Sequence, residues 1–149
     1  MMEAELKRVI RDFPDYPKPG IIFKDISPIL MDMDLYGQVI STFAERIREM
    51  NIDAIVGIES RGFWFGPSIA HLLNIPFIPI RKKGKLPGET YSYSYDLEYG
   101  SATIEVQKDS LPKGARVLIH DDLLATGGTA KAAAKLVNLA GAEAVAFAF

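Results

Sequence analysis

The sequence contains no cysteine, so disulfides and thiolate metal sites are excluded, and the composition suits a reducing compartment. It also lacks any apolar run approaching the length of a membrane span. The opening MMEAELKRVIRDF alternates charged and apolar residues, unlike the uninterrupted core of a signal peptide. Charge of one sign is scarce as well. A formal net charge of -2 provides no general attraction for nucleic acid or acidic lipid, so any anion site must be built locally. No internal repeat, low-complexity tract or linker is visible. What remains is 149 residues, 48% of them apolar, enough to bury an ordinary core in a single domain, 1–149. The expectation is a cytoplasmic protein without nucleic-acid or membrane partners.

Residues 3–13 place Leu6, Val9, Ile10 and Phe13 at helical spacing until Pro14 stops the pattern. FPDYPKPGIIFKDISPIL carries four prolines and reads as an irregular loop with a short extended piece over 21–24. Residues 34–50 form an amphipathic helix, with Leu35, Val39, Ile40, Phe43, Ile47 and Met50 on one stripe. From residue 53 the pattern alternates. Strands over 54–58, 77–80, 116–120 and 143–149 are separated by helices over 63–73 and 129–139. Apolar strands alternating with helices imply a parallel sheet with right-handed crossovers, an α/β fold. Residues 90–95 and 101–107 alternate with period two around Gly100 and predict an antiparallel excursion.

In such a sheet, ligands bind beyond the carboxyl ends of the strands, so the turns after Ile58, Ile80 and His120 matter most. VLIHDDLLATGGTA runs from strand to helix through Asp121, Asp122, Ala125, Thr126, Gly127, Gly128 and Thr129. Two glycines let main-chain N–H groups converge, and the helix N-terminus adds about half a positive charge. Together these make a phosphate cradle with threonine hydroxyls as further donors. Two carboxylates suit sugar hydroxyls instead, with a bound Mg²⁺ offsetting their charge. The string is neither a Walker A loop nor a dinucleotide-binding loop. Taken singly, each of its residues reads as a local cap or turn.

In GIESRGFWFGP, Arg61 follows a strand and can grip a diphosphate, or it is a surface arginine paired with Glu59. RKKGKLPGE puts four cations, Arg81, Lys82, Lys83 and Lys85, in five positions. A charge run is usually a solvated face, but after a buried strand in a net-negative chain it fits a focused polyanion site. It lacks the interleaved aromatics of a nucleic-acid surface. Phe23, on the irregular stretch, is equally an aromatic platform for a flat base or ordinary core. The stretch 84–100 reads as a loop that closes over the site, or as an exposed hairpin.

These strings carry a family resemblance. VLIHDDLLATGGTA resembles the phosphoribosyl pyrophosphate signature of the type I phosphoribosyltransferases, and its DDLLATGGT form is similar to that of the adenine phosphoribosyltransferases. His120 departs from the aliphatic residue usual there and is given no catalytic role. The resemblance implies the type I phosphoribosyltransferase fold: a central parallel sheet flanked by helices, a small hood at about residues 13–30, a core over 34–149 and a flexible loop. It implies that 125–129 hold the 5-phosphate, that Asp121 and Asp122 hold ribose hydroxyls, and that Arg61, Arg81, Lys82 and Lys85 contact pyrophosphate. In PGIIFKDI it assigns Phe23 to stacking on adenine and the Ile22 backbone to the purine edge. In DLEYG it assigns Glu98 to proton exchange with the purine. It further implies Mg²⁺ as cofactor, adenine and phosphoribosyl pyrophosphate as substrates, and a homodimer whose basic run reaches the neighbouring site. Rival readings are a transferase of the same fold for another base, and a regulator that binds phosphoribosyl pyrophosphate without turnover. Measured against the family pattern, the chain looks short at its C-terminus.

Overall fold

The computed structural model describes residues 2–149 and divides the chain into two compact units, one running to Thr42 and the other from Phe43 to Phe149. The first unit holds helix α1 (Met2–Val9), strands β1 (Arg11–Pro14) and β2 (Ile22–Asp25), helix α2 (Ser27–Met31) and the start of helix α3 (Met33–Arg48). The expected helix over 3–13 therefore stops at Val9, because residues 11–14 pair instead with β2, Phe13 opposite Phe23. Ion pairs cross that ribbon, Arg11 to Asp25 at 2.6 Å and Lys24 to Asp12 at 2.7 Å. Asp15 Oδ1 accepts the Gly20 N–H at 2.8 Å and closes the connection. Helix α2 was not foreseen. Proline in its first turn, where the missing N–H costs nothing, explains how a proline-rich stretch can still turn helical. Asp32 Oδ1 accepts the Leu35 N–H at 3.0 Å near the N-terminus of α3. Of the apolar stripe in this part of α3, Leu35, Val39 and Ile40 are buried.

The second unit is built on a six-stranded sheet of order β5-β6-β4-β3-β7-β8. Strands β3 (Ala54–Ile58), β4 (Phe77–Lys82), β7 (Arg116–His120) and β8 (Glu143–Ala148) run parallel, while β5 (Thr90–Asp96) and β6 (Ser101–Gln107) form an antiparallel arm joined to β4. The sheet is thus mixed rather than purely parallel, an α/β arrangement with helices α4 (Gly62–Leu73) and α5 (Gly128–Leu139) packed on it. Every residue of β3 is buried, which is why that strand shows no polar alternation. Val56, Ile58, Val117 and Ile119 pack with Ala132, Leu136 and Val137 of α5 in one cluster. Ile55 and Leu118, pointing to the other face, are also fully buried.

Within the stretch 84–100, residues 90–96 form β5, paired antiparallel with β6, so the segment carries one arm of a hairpin. Only residues 83–89 and the turn 97–100 lie outside β4, β5 and β6. Period-two alternation decides this: Tyr91, Tyr93 and Tyr95 pack on the core while Ser92 and Ser94 point away. No helix among the described residues is long and apolar enough to cross a membrane.

Candidate functional site

Parallel pairing brings three turns to one edge of the sheet. Ile58 lies opposite Ile80 and Gly57 opposite His120, so β3, β4 and β7 release their chains at the same level. The turns after β3 and β7 touch closely. A Cβ at Gly62 would meet the His120 carbonyl oxygen at 2.8 Å, so a residue without a side chain is required there.

After β7 the chain turns through 121–127 into α5, with Gly127 at φ +81°, a conformation open to glycine. Among the described residues, no acceptor is found for the main-chain N–H groups of Ala125, Thr126 and Gly127, whereas Gly128 N–H reaches Thr126 Oγ1 at 3.4 Å. The turn lines a cavity of about 220 Å³, closed on its other sides by Ser60, Arg61 and Phe149. Donors left unpaired at a helix N-terminus and facing a cavity are an anion site in physical terms.

Arg61 meets the turn after β7. Its Nε lies 3.2 Å from Oδ2 of Asp122, whose side chain is nearly buried. Asp121 Oδ1 accepts the Asp122 N–H at 2.9 Å. Burial, reinforced by the Asp122 carboxylate, pushes the Asp121 carboxyl up to about 6, with the Asp122 N–H and Arg61 pulling the other way. Among the described residues no three potential ligands cluster as a metal site.

Glu59 belongs to the basic turn. Its Oε2 lies 2.9 Å from Lys85 Nζ and 3.6 Å from Arg81 Nη2, and Oε1 accepts the Lys82 main-chain N–H. Burial opposes the charge of Glu59, but the Lys82 N–H and the two cations outweigh it and hold the carboxyl below its ordinary range. Arg81 Nη1 also donates to the Lys85 carbonyl at 3.3 Å. A second buried carboxylate, Glu105, accepts from Gly84 N–H at 3.0 Å and Ser92 Oγ at 3.1 Å, tying the turn to the antiparallel arm. A second cavity of about 180 Å³, walled by Arg81, Lys82 and Tyr95, shares Glu59, Asp121 and Thr129 with the first.

The structure thus brings Arg61, Arg81, Lys82 and residues 121–129 together, with Lys85 attached through Glu59. It does not bring Glu98 to them. Glu98 is exposed in the hairpin turn, which Leu97 N–H closes on the Gly100 carbonyl at 2.9 Å, and it lines neither cavity. Ile22 and Phe23 belong to the first unit, where Ile22 is exposed. The Phe23 ring meets Tyr16 edge-on at 5.3 Å, and with Phe13 and Asp25 the two line a cavity of about 250 Å³.

A phosphoribosyl transferase domain matches residues 29–149. The adenine phosphoribosyltransferase of Cytophaga hutchinsonii is 52% identical over 149 residues, all of this chain and 82% of that protein. The chain belongs to the adenine phosphoribosyltransferase family. The Saccharomyces cerevisiae adenine phosphoribosyltransferase, solved with adenine and an imino-altritol bisphosphate, superposes with a TM-score of 0.94 at 43% identity, covering 98% of this chain and 85% of that one. The Trypanosoma brucei adenine phosphoribosyl transferase, solved with AMP, pyrophosphate and ribose-5-phosphate, gives 0.88 at 31% identity, covering 98% and 65%.

Three residues of this phosphoribosyltransferase were not singled out from sequence: Glu59 and Glu105, which anchor the basic turn, and Tyr95, whose hydroxyl lies against the phosphate-type turn. The period-two pattern of 90–95 and 101–107 placed Tyr95 and Glu105 on strands, but not which loop each would reach. His120 is wholly buried between Phe43 and Phe65, and its Nδ1 is 3.1 Å from the Ala148 carbonyl. That carbonyl requires Nδ1–H, leaving Nε2 without a hydrogen, and among the described residues Nε2 has no partner. Burial pushes the pKa of His120 down, against the opposing pull of Ala148 and Asp122.

Proposed function

We propose that the chain transfers the 5-phosphoribosyl group of phosphoribosyl pyrophosphate to adenine, giving AMP and pyrophosphate. The observation that carries this reading is the turn 121–127, where among the described residues the N–H groups of Ala125, Thr126 and Gly127 find no acceptor and which lines a cavity together with Arg61.

In the proposed mechanism, 125–129 hold the 5-phosphate, and Asp121 and Asp122 accept hydrogen bonds from the ribose hydroxyls. Arg61, Arg81, Lys82 and Lys85 gather the diphosphate, whose bond to ribose C1 breaks as the purine ring nitrogen bonds to C1. Charge grows on the leaving diphosphate, so cations fixed beforehand stabilise the transition state more than the ground state. Phe23 stacks on adenine, the Ile22 main chain reads its edge, and Glu98 accepts the proton lost by the purine. No covalent nucleophile is invoked, and positioning does most of the work.

Asp121 and Asp122 stand side by side, and burial together with the Asp122 carboxylate raises the pKa of Asp121 despite Arg61. That donor set fits a Mg²⁺ ion carried in on the diphosphate and keeping its waters, rather than one caged by protein alone. When bound, the ion supplies neutralising charge to the diphosphate.

We read 1–149 as a single catalytic domain acting as a homodimer in the cytoplasm, without nucleic-acid or membrane partners. The small net charge gives no general attraction for nucleic acid or acidic lipid. The decisive test is release of pyrophosphate from phosphoribosyl pyrophosphate with MgCl₂ and adenine, hypoxanthine, guanine, xanthine or orotate in turn. Turnover with adenine alone is expected. Turnover with another base reassigns the substrate, and binding without turnover makes the chain a sensor.

A further inference from the structure

Four cations in five positions repel one another, and a turn carrying them does not hold a single shape without an anion among them. The structure supplies that anion from within the chain. Glu59 is the first residue after β3, and its N–H donates to the Ile80 carbonyl at 3.0 Å, so its backbone is fixed to the end of β4. From there its nearly buried carboxylate receives the Lys82 N–H and the charges of Lys85 and Arg81. It also lines both cavities of the site. Arg81 Nε is buried and, among the described residues, without a partner, so the arginine retains a donor that Glu59 does not use.

From this geometry we propose that Glu59 is a positioning residue that acts as the resting counter-ion of the diphosphate subsite, holding Arg81 and Lys85 in place and ceding Lys85 when pyrophosphate binds. This rests on the functional reading above. A diphosphate that engages Lys85 competes with the Glu59 carboxylate for the same ammonium and is repelled by it at close range. Fixing the basic turn favours binding, while the negative charge opposes it. In a partly buried site, removing one charge near a polyanion changes affinity by about tenfold, more than a well-formed neutral hydrogen bond contributes. The carboxylate therefore holds the cations ready while keeping the product diphosphate from binding too tightly to leave.

Glu59→Gln tests this, since the amide oxygen still accepts the Lys82 N–H and only the charge is removed. Calorimetry with inorganic pyrophosphate and MgCl₂ should give about five- to tenfold tighter binding to the variant at low salt, a gain that shrinks as salt screens it. Its kcat should fall while Glu59→Asp, which keeps the charge, binds pyrophosphate like the parent. Equal or weaker binding by Glu59→Gln overturns the proposal, because a merely structural role predicts loss. A readout on the unaltered chain needs no variant to fold. The Glu59 carboxyl carbon, followed by NMR, should shift when pyrophosphate saturates the protein, with its pKa rising toward the ordinary carboxylate range. An unmoved signal at saturation also overturns the proposal. Failure of the unaltered chain to bind pyrophosphate at all instead rejects the functional reading on which the proposal rests.

Discussion

The phenol hydroxyl of Tyr95 lies 3.2 Å from Thr129 Oγ1, so strand β5 is hydrogen-bonded to the first turn of α5. The hairpin that carries Glu98 three residues further on is thereby joined to the turn that faces the larger cavity. Tyr95→Phe removes the hydroxyl and little else. One such bond contributes about 1 kcal/mol, so melting should fall by a few degrees and the KM for phosphoribosyl pyrophosphate should rise about fivefold. Unchanged values for both parameters would disconnect the hairpin from the phosphate turn.

Glu98 is exposed in its turn, so replacing it disturbs no packing. Glu98→Gln should retain the parent's melting temperature and substrate KM values while kcat drops by about 10²-fold or more, the usual worth of a positioned proton acceptor. Steady-state kinetics with adenine varied at saturating phosphoribosyl pyrophosphate checks this, and a kcat within twofold of the parent removes Glu98 from the reaction (about the limit such an effect could hide in).

Asp121 gives a pH signature of stability. Its folded-state pKa of about 6 lies above the ordinary 3.8, so the native state binds this proton more tightly than the unfolded chain. That contribution is fully present below about 3.8 and is lost as pH rises through about 6. Asp121→Asn abolishes the cost of ionising the half-buried acid, on the order of 1–2 kcal/mol once solvent screening of so exposed a group is discounted. The variant should melt on the order of 5 °C above the parent near pH 8, with the gap closing toward pH 4. A gap that widens in acid has the wrong sign.

His120 works in the opposite direction. Burial lowers its pKa, so its stabilising contribution is present above the ordinary 6.5 and is lost as pH falls through the folded value. His120→Val discards both the unpartnered Nε2 and the bond to Ala148. Near pH 7.5 the two changes should roughly cancel, to within about 1 kcal/mol. Toward pH 5 the variant should become the more stable chain, which thermal melts across that range will reveal.

Strand and helix order in the second unit was legible because it is written in local patterns. Ala54–Ile58 reads as a doubly covered strand from composition alone, and Gly128–Leu139 from its helical spacing after two glycines. The first unit was harder. Leu6, Val9, Ile10 and Phe13 satisfy helical spacing, yet Phe13 belongs to a strand paired with β2, a partner that local spacing does not encode. The residues in the three turns were legible as types suited to phosphate and diphosphate. Their pairing was not. That Arg61 meets Asp122, and Glu59 meets Lys85, depends on the lateral order of β4, β3 and β7, which no local pattern encodes.

Strand β3 sits between β4 and β7, and Arg116 N–H closes on Asp53 Oδ2 across 63 residues of chain. The turn bearing Glu59 and the turn bearing Asp121 therefore become neighbours only once that distant pairing has formed, a step slowed by the entropy of closing so long a loop. Ligand capture by a refolding chain is therefore expected to wait for that pairing, and to report completion of the sheet.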